Sequence, residues 1–307
     1  MISQQKTNEN TKTKNNEDNW SLSYDSLINA IIRPPRSNNY HPDDLCSPIF
    51  VFNGREYSRK DITLINKKNN KLECSFIQPL HSYRVHKTMP VVIYLHGNSS
   101  NREEGMNQVP LLLRHHMNVF LFDFSGSGLS EGEYITLGYQ EKDDLETVVN
   151  YLSSYPGVGK IGVWGRSMGA ATALMYLYKD SRIKAAVIDS TFADFNVLAK
   201  QLCRKVKAIP DILINFAMYF VKKTIKERCG FEIEELRPID HAKLCTAAAF
   251  FIHAMKDELI PLEHTLKIYE QYGGEKVLNV CGGGHHTKRD KELLEKVATF
   301  LINHLSN

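Results

Sequence analysis

Gly165-Arg166-Ser167-Met168-Gly169 matches G-x-S-x-G, and the chain on either side of it decides how it is read. Lys160-Ile161-Gly162-Val163-Trp164 before it is a short β-prone apolar run. Ala170-Ala171-Thr172-Ala173-Leu174-Met175-Tyr176-Leu177 after it has the small-then-large apolar character of a buried helix. Strand, tight turn, helix is the order in which a nucleophile elbow is built. The serine sits on a strained turn, flanked by glycines because a Cβ there would strike the neighbouring strand and helix. A pentapeptide of this kind arises by chance about once in ten chains of this length. The plain alternative is a tight strand-to-helix loop marked by Gly165 and Gly169.

Working outward, Val91-Val92-Ile93-Tyr94-Leu95, Met117 to Phe122, Ile161 to Trp164, Ala185 to Ile188, Ala248 to Ile252 and Lys276 to Val280 read as strands. Residues 103 to 115, Gly138 to Ser153, the segment after Ser167 and Asp290 to His304 read as helices between or after them. Near-continuous apolar strands alternating with helices predict an α/β protein with a mostly parallel sheet covered on both faces. Ile49-Phe52, Asp61-Asn66 and Lys71-Gln78, with Asn69-Asn70 as a turn, read as antiparallel edge strands. Residues 1 to 19 are polar and predict a disordered tail, and 20 to 307 read as a single domain. About 60 residues separate Ile188 from Ala248, far beyond an ordinary strand-to-helix loop. Within them Phe192 to Gln201, Ile209 to Phe220 and Val221 to Arg228 predict a helical cap insertion spanning about 192–245, over the carboxyl edge of the sheet.

The 307 residues suit one large domain, and 42% hydrophobic with 24% charged residues is ordinary for a globular chain. A formal net charge of +3, without a basic stripe, argues against nucleic acid as a partner. Six cysteines lie at 46, 74, 203, 229, 245 and 281, without C-x-x-C or metal-ligand spacing, so they read as reduced packing residues and no metal is expected. No secretory h-region follows Met1, and Ile2 stands where myristoylation needs glycine, which predicts a cytoplasmic protein. The apolar run Ile212 to Val221 is far short of the roughly 20 residues of a membrane span. With Lys205, Lys207, Lys222, Lys223 and Lys226 around it, it reads as a cap helix facing substrate, with contact to an anionic membrane surface as the lesser alternative.

A serine hydroxyl needs a base to take its proton, and the base needs an acid to hold its tautomer. Asp257 lies in Ala254-Met255-Lys256-Asp257-Glu258 after one late strand. His285 lies in Gly282-Gly283-Gly284-His285-His286 after the next. Both fall at carboxyl ends of strands, where sites of open sheets assemble. Asp189, Glu258 and His286 are the rival candidates. The glycine run favours His285, by giving it a flexible approach to the serine. An oxyanion hole requires two N–H donors. Met168 supplies one, and Asn98 in His96-Gly97-Asn98-Ser99-Ser100 is the expected second, with His96 shaping that loop.

Three segments in this order, His96 to Ser100, Asp123-Phe124-Ser125-Gly126-Ser127-Gly128-Leu129-Ser130, and Gly165 to Gly169, joined by Asp189-Ser190 and the Gly-Gly-His segment, resemble the α/β-hydrolase superfamily in its serine-aminopeptidase-like branch. The resemblance covers about residues 60 to 305. It implies an eight-stranded hydrolase fold with Ser167, Asp257 and His285 as triad and no cofactor. Members often carry Asn after the catalytic histidine, where this chain has His286. Members that deacylate palmitoylated proteins often carry an N-terminal cysteine cluster, whereas the first cysteine here is Cys46. The expected activity is hydrolysis of an ester or thioester of a small or acylated substrate. A peptidase, or a silent binding protein of the same fold, is the alternative.

Overall fold

The computed structural model describes residues 24–206 and 210–306. The polar stretch 1–19 lies outside the described residues. Nine strands form one sheet: β1 (Ile49–Phe52), β2 (Arg55–Ile65), β3 (Lys71–Pro79), β4 (Met89–Leu95), β5 (Asn118–Phe122), β6 (Val158–Arg166), β7 (Ile183–Asp189), β8 (Ala248–Ala254) and β9 (Lys276–Cys281). Their order is β1-β2-β3-β5-β4-β6-β7-β8-β9. The run from β5 to β9 is parallel, and β1, β2 and β3 are antiparallel additions at one edge. Every residue of β5 and β8 is buried, which explains why all but Asn118 and His253 are apolar: both faces of the sheet are covered.

One face carries α1 (Tyr24–Ile32), α4 (Glu141–Ser154), α5 (Met168–Leu177) and α9 (Leu262–Gln271). The other carries α3 (Val109–Arg114) and α10 (Lys291–Leu305). A short helix, α2 (Pro42–Leu45), precedes the sheet. The segment read as a helix over 103 to 115 is a 3-10 turn, Arg102–Asn107, followed by α3, which has a proline in its first turn. Asp290 caps α10 by accepting the Leu293 N–H at 2.8 Å.

The sheet has nine strands where the resemblance implies eight. Asn53 and Gly54 both take positive φ, 48° and 72°, and close a two-residue hairpin between β1 and β2. β2 therefore begins at Arg55 rather than Asp61. The charged residues that hid its first half are accommodated. Arg59 is buried, and its guanidinium reaches Asp43, Asp61 and the carbonyls of Pro42 and Cys46.

Between β7 and β8 lie α6 (Phe195–Val206), α7 (Asp211–Cys229), a 3-10 turn at Ile233–Glu235, and α8 (Pro238–Ala242). Of the stretches that read as two or three helices, residues 211 to 228 lie in the single helix α7. Nothing between them breaks a helix, and it runs on until Gly230, whose φ of 73° provides a left-handed C-terminal cap. No helix among the described residues is long and apolar enough to cross a membrane.

Candidate active site

At the end of β6 the backbone turns sharply. Ser167 has φ 53° and ψ −114°, and α5 begins at the next residue. A non-glycine residue held there stores about 1–3 kcal/mol of strain. Crowding around the turn explains both glycines. A Cβ on Gly169 would stand 2.0 Å from the Leu95 carbonyl oxygen, and one on Gly165 would stand 2.4 Å from the Gly169 oxygen. The Ser167 N–H donates to the Asp189 carbonyl at 2.8 Å, tying the turn to β7.

β8 and β9 deliver the acid and the histidine. His285 Nδ1 lies 2.7 Å from Asp257 Oδ2, and both side chains are buried. The other carboxylate oxygen, Oδ1, accepts the N–H groups of Leu259 at 2.9 Å and Ile260 at 2.8 Å. Burial pushes the Asp257 carboxyl up, but the His285 hydrogen bond and the Ile260 N–H outweigh it and hold it below the usual range. An ionised Asp257 takes the Nδ1 proton in a hydrogen bond and leaves Nε2 as the free lone pair.

A residue that sequence reasoning missed stands behind this pair. His253 is fully buried in β8, with Nε2 3.6 Å from Asp257 Oδ2 and 2.9 Å from the Ile260 carbonyl, and Nδ1 2.8 Å from the Thr265 hydroxyl. Burial pushes its pKa down, so the ring is neutral and donates from Nε2 to the carbonyl. Its signal in the sequence is a histidine inside the otherwise apolar Ala248-Ala249-Phe250-Phe251-Ile252-His253-Ala254.

The His285 backbone is held from both ends. Its N–H donates to Glu258 Oε2 at 3.1 Å, and its carbonyl accepts from Arg166 Nη1 at 3.4 Å. Arg166, next to Ser167 in the turn, thus reaches from β6 to the loop after β9. It is itself gripped by Glu104, Nε to Oε1 at 2.6 Å and Nη2 to Oε2 at 3.2 Å. Glu104 also accepts from the Tyr94 hydroxyl at 2.9 Å and the Gly97 N–H at 3.3 Å. Burial pushes the Glu104 carboxyl up, yet the hydrogen bond and charge of Arg166 hold it down at about 2.

Because this pKa lies below the ordinary 4.5, the stabilisation is complete above pH 4.5 and is lost as the pH falls toward 2. With only 13% of the Glu104 side chain exposed, the contribution is about 3 kcal/mol. Urea unfolding of the wild type and of Glu104→Gln at a series of pH values tests it. The difference between the two is expected to shrink across that window, and a pH-independent difference would contradict it.

The rival candidates are placed elsewhere. The Asp189 carboxylate is taken up by Arg289, with Nε to Oδ2 at 3.0 Å and Nη2 to Oδ1 at 2.6 Å, and by the Ser190 hydroxyl at 2.9 Å. Glu258 touches the His285 backbone rather than its ring. His286 is exposed, its ring 5.1 Å from that of His285 and nearly perpendicular to it.

Met168 is the first residue of α5, so its N–H is among those that a helix leaves without an internal partner. Asn98 is half-buried in the loop after β4, where its Oδ1 accepts the Ser99 N–H at 2.9 Å and the Gly97 carbonyl accepts the Ser100 N–H at 3.3 Å. His96 is fully buried and both ring nitrogens serve the loops. Nδ1 donates to the Gly97 carbonyl at 2.8 Å, and Nε2 accepts the Phe124 N–H at 3.1 Å. Among the described residues, no group of three His, Cys, Asp or Glu side chains is arranged to hold a metal ion. All six cysteines are free thiols.

Residues 90–222 match the family described as alpha/beta hydrolase fold. The uncharacterized protein YqkD of Bacillus subtilis is 31% identical over 229 residues, 71% of this chain and 73% of its own length. Alpha/beta hydrolase domain-containing protein 17C of Mus musculus is 25% identical over 270 residues, 82% of this chain and 72% of its own. Among solved structures, the Pyrococcus furiosus esterase Pf2001 is 26% identical with a TM-score of 0.67, over 89% of this chain and 99% of that one. In fold, in the order of its motifs and in its relatives, this chain belongs to the α/β-hydrolase superfamily.

Proposed function

We infer that the protein is a serine hydrolase that cleaves a carboxylic ester or thioester through an acyl-enzyme. The observation that carries this reading is the buried 2.7 Å pair of His285 Nδ1 and Asp257 Oδ2, on the sheet edge that also holds the strained Ser167 turn. In the reaction, His285 Nε2 takes the Ser167 hydroxyl proton as Oγ attacks the substrate carbonyl. The negative charge on the carbonyl oxygen is met by the Asn98 and Met168 N–H groups. The intermediate collapses as His285 returns the proton to the leaving alcohol or thiol. Water, activated by the same imidazole, then releases the acid and restores Ser167.

An ester substrate is supported by the likeness to the Pyrococcus furiosus esterase, at 26% identity over 89% of this chain. Comparing kcat/KM for short-chain nitrophenyl esters, long-chain acyl thioesters and aminoacyl anilides tests the substrate class. A preference for the anilides would overturn it in favour of a peptidase.

The acid's part is tested separately. Asp257→Asn is expected to lower kcat by about 10⁴-fold, because an amide can donate to Nδ1 and so favours the wrong tautomer of His285. Unfolding by urea should show the variant folded. A loss below about tenfold would argue that Asp257 does not serve the imidazole.

A further inference from the structure

The loop that carries His285 runs from Gly282 to Asp290 between β9 and α10, contains no helix or strand, and opens with three glycines. Glycine loses more backbone freedom on ordering than any other residue, so the position of His285 depends on what the loop is fastened to. One set of fastenings leads to the acid. The Lys256 N–H donates to the Gly283 carbonyl at 3.0 Å, the His285 N–H donates to Glu258 Oε2 at 3.1 Å, and His285 Nδ1 meets Asp257 Oδ2 at 2.7 Å. These join the base to the loop after β8, whereas the nucleophile follows β6.

A second set crosses toward Ser167. Arg166 makes a long contact with the His285 carbonyl, 3.4 Å. Arg289 makes shorter ones, reaching from the histidine loop to the end of β7, two strands away from β9 in the sheet. Its guanidinium grips the Asp189 carboxylate with two hydrogen bonds, at 3.0 and 2.6 Å, and donates to the Ser190 hydroxyl at 2.9 Å. The Arg289 and Asp189 side chains are 6% and 4% exposed, so salt screens the pair little. The same Asp189 receives the Ser167 N–H on its backbone carbonyl at 2.8 Å, and the Ser190 N–H donates to the Ile252 carbonyl of β8 at 2.9 Å. Ser190 is held at φ 57°, a strained conformation for a residue with a Cβ. Asp189-Ser190 therefore touches the turn of the nucleophile, the loop of the base and the strand that leads to the acid.

We propose, on the reading of Ser167 as nucleophile and His285 as base, that Arg289 and Asp189 are positioning residues that set the distance between Ser167 Oγ and His285 Nε2. The serine turn hangs from the Asp189 main chain and the histidine loop from its side chain, so one residue holds both reacting partners in register. This role accounts for a carboxylate buried at the end of β7 that does not serve the imidazole. Stability alone does not call for such a pair, because apolar residues of the same volume often serve it as well. What the pair adds is direction: a planar guanidinium meeting a carboxylate through two bonds fixes orientation as well as distance. A misplacement of about 1 Å in a reacting group can cost about 10²-fold in rate.

The test is steady-state kinetics of Arg289→Lys, Arg289→Gln and Asp189→Asn on a short soluble ester, beside urea unfolding. Arg59→Gln is the control, because it breaks a buried arginine pair near the far edge of the sheet. In Arg289→Gln and Asp189→Asn, kcat is expected to fall about 10²-fold with KM within about threefold of wild type. Arg289→Lys keeps the charge but not the fork and should lose about tenfold; it carries the test if Arg289→Gln does not fold. Asp189→Asn/Arg289→Gln should lose no more than either single variant, since the two residues act as a unit. Amide hydrogen exchange in these variants should quicken across 282–289 and stay unchanged in β5. Arg59→Gln should lose stability and keep kcat. Unchanged kcat in folded Arg289→Lys, additive losses in the double variant, or an equal loss of kcat in Arg59→Gln would each overturn the proposal. In those cases turnover by the wild type, abolished in Ser167→Ala, leaves the hydrolase reading standing. Wild-type protein that neither hydrolyses an ester nor takes up a fluorophosphonate would overturn both.

Discussion

Replacing Ser167 with alanine is expected to lower kcat for ester hydrolysis by about 10⁶-fold while leaving the fold intact. On the proposed mechanism the loss is that large because the Ser167 oxygen is the atom that bonds to the acyl group. In that mechanism His285, Asp257 and the two N–H donors then have no nucleophile to act on, and only the slow attack of bound water remains. The fold is expected to survive because the contacts that shape the turn are made by its backbone. The Ser167 N–H bonds to the Asp189 carbonyl at 2.8 Å, and the Ser167 carbonyl accepts the Ala171 N–H at 3.0 Å. Alanine keeps both, and at φ 53° it is strained about as serine is. Steady-state rates on a nitrophenyl ester, read beside urea unfolding, check this. A folded variant that retains more than about one hundredth of the activity would exclude Ser167 as the nucleophile.

Gly169→Ala is expected to have the largest effect on stability, at least about 4 kcal/mol or failure to fold. Its added Cβ would meet the Leu95 oxygen at 2.0 Å and the His96 oxygen at 2.8 Å. These are backbone atoms at the end of β4, in the middle of the sheet, and no side-chain rotation relieves the clash. The start of α5 would have to move away from β4, which separates the Met168 N–H from the loop that carries Asn98. Any folded fraction should therefore also lose activity. Gly54→Ala is the control. It has φ +72° but nothing within 4 Å of a new Cβ, so backbone strain alone remains, about 1 kcal/mol. Unfolding curves for the two variants check the contrast; similar stabilities would contradict the crowding account of the turn.

The elements legible in the sequence are those that local chemistry dictates. Gly165 and Gly169 stand where backbone passes within contact distance. The mostly apolar strings of β5 and β8 record burial on both faces. Ser167, Asp257 and His285 each follow a strand, so their shared edge follows from a parallel sheet. Two features with local signals were still missed. The Asn53-Gly54 hairpin was obscured by the charges of β2, and His253 by the apolar strand around it. The ion pairs had no local signal. Arg289 and Asp189 are 100 positions apart, and Arg166 and Glu104 are 62 apart. Partners brought together only by the folded sheet leave no periodicity to read. The apolar run Ile212 to Val221 was legible as a helix of the insertion, but which of its residues face the core and which face water depends on neighbours far away in sequence.

The central claim is that Ser167 is acylated with the help of His285 and Asp257, and trapping the adduct tests it most directly. Wild-type protein treated with a fluorophosphonate should gain one adduct by intact mass. Peptide mapping should place it on Ser167, an ester substrate should slow its formation, and Ser167→Ala should not acquire it. Folded wild-type protein that takes up no label, or equal labelling of Ser167→Ala, would contradict the account.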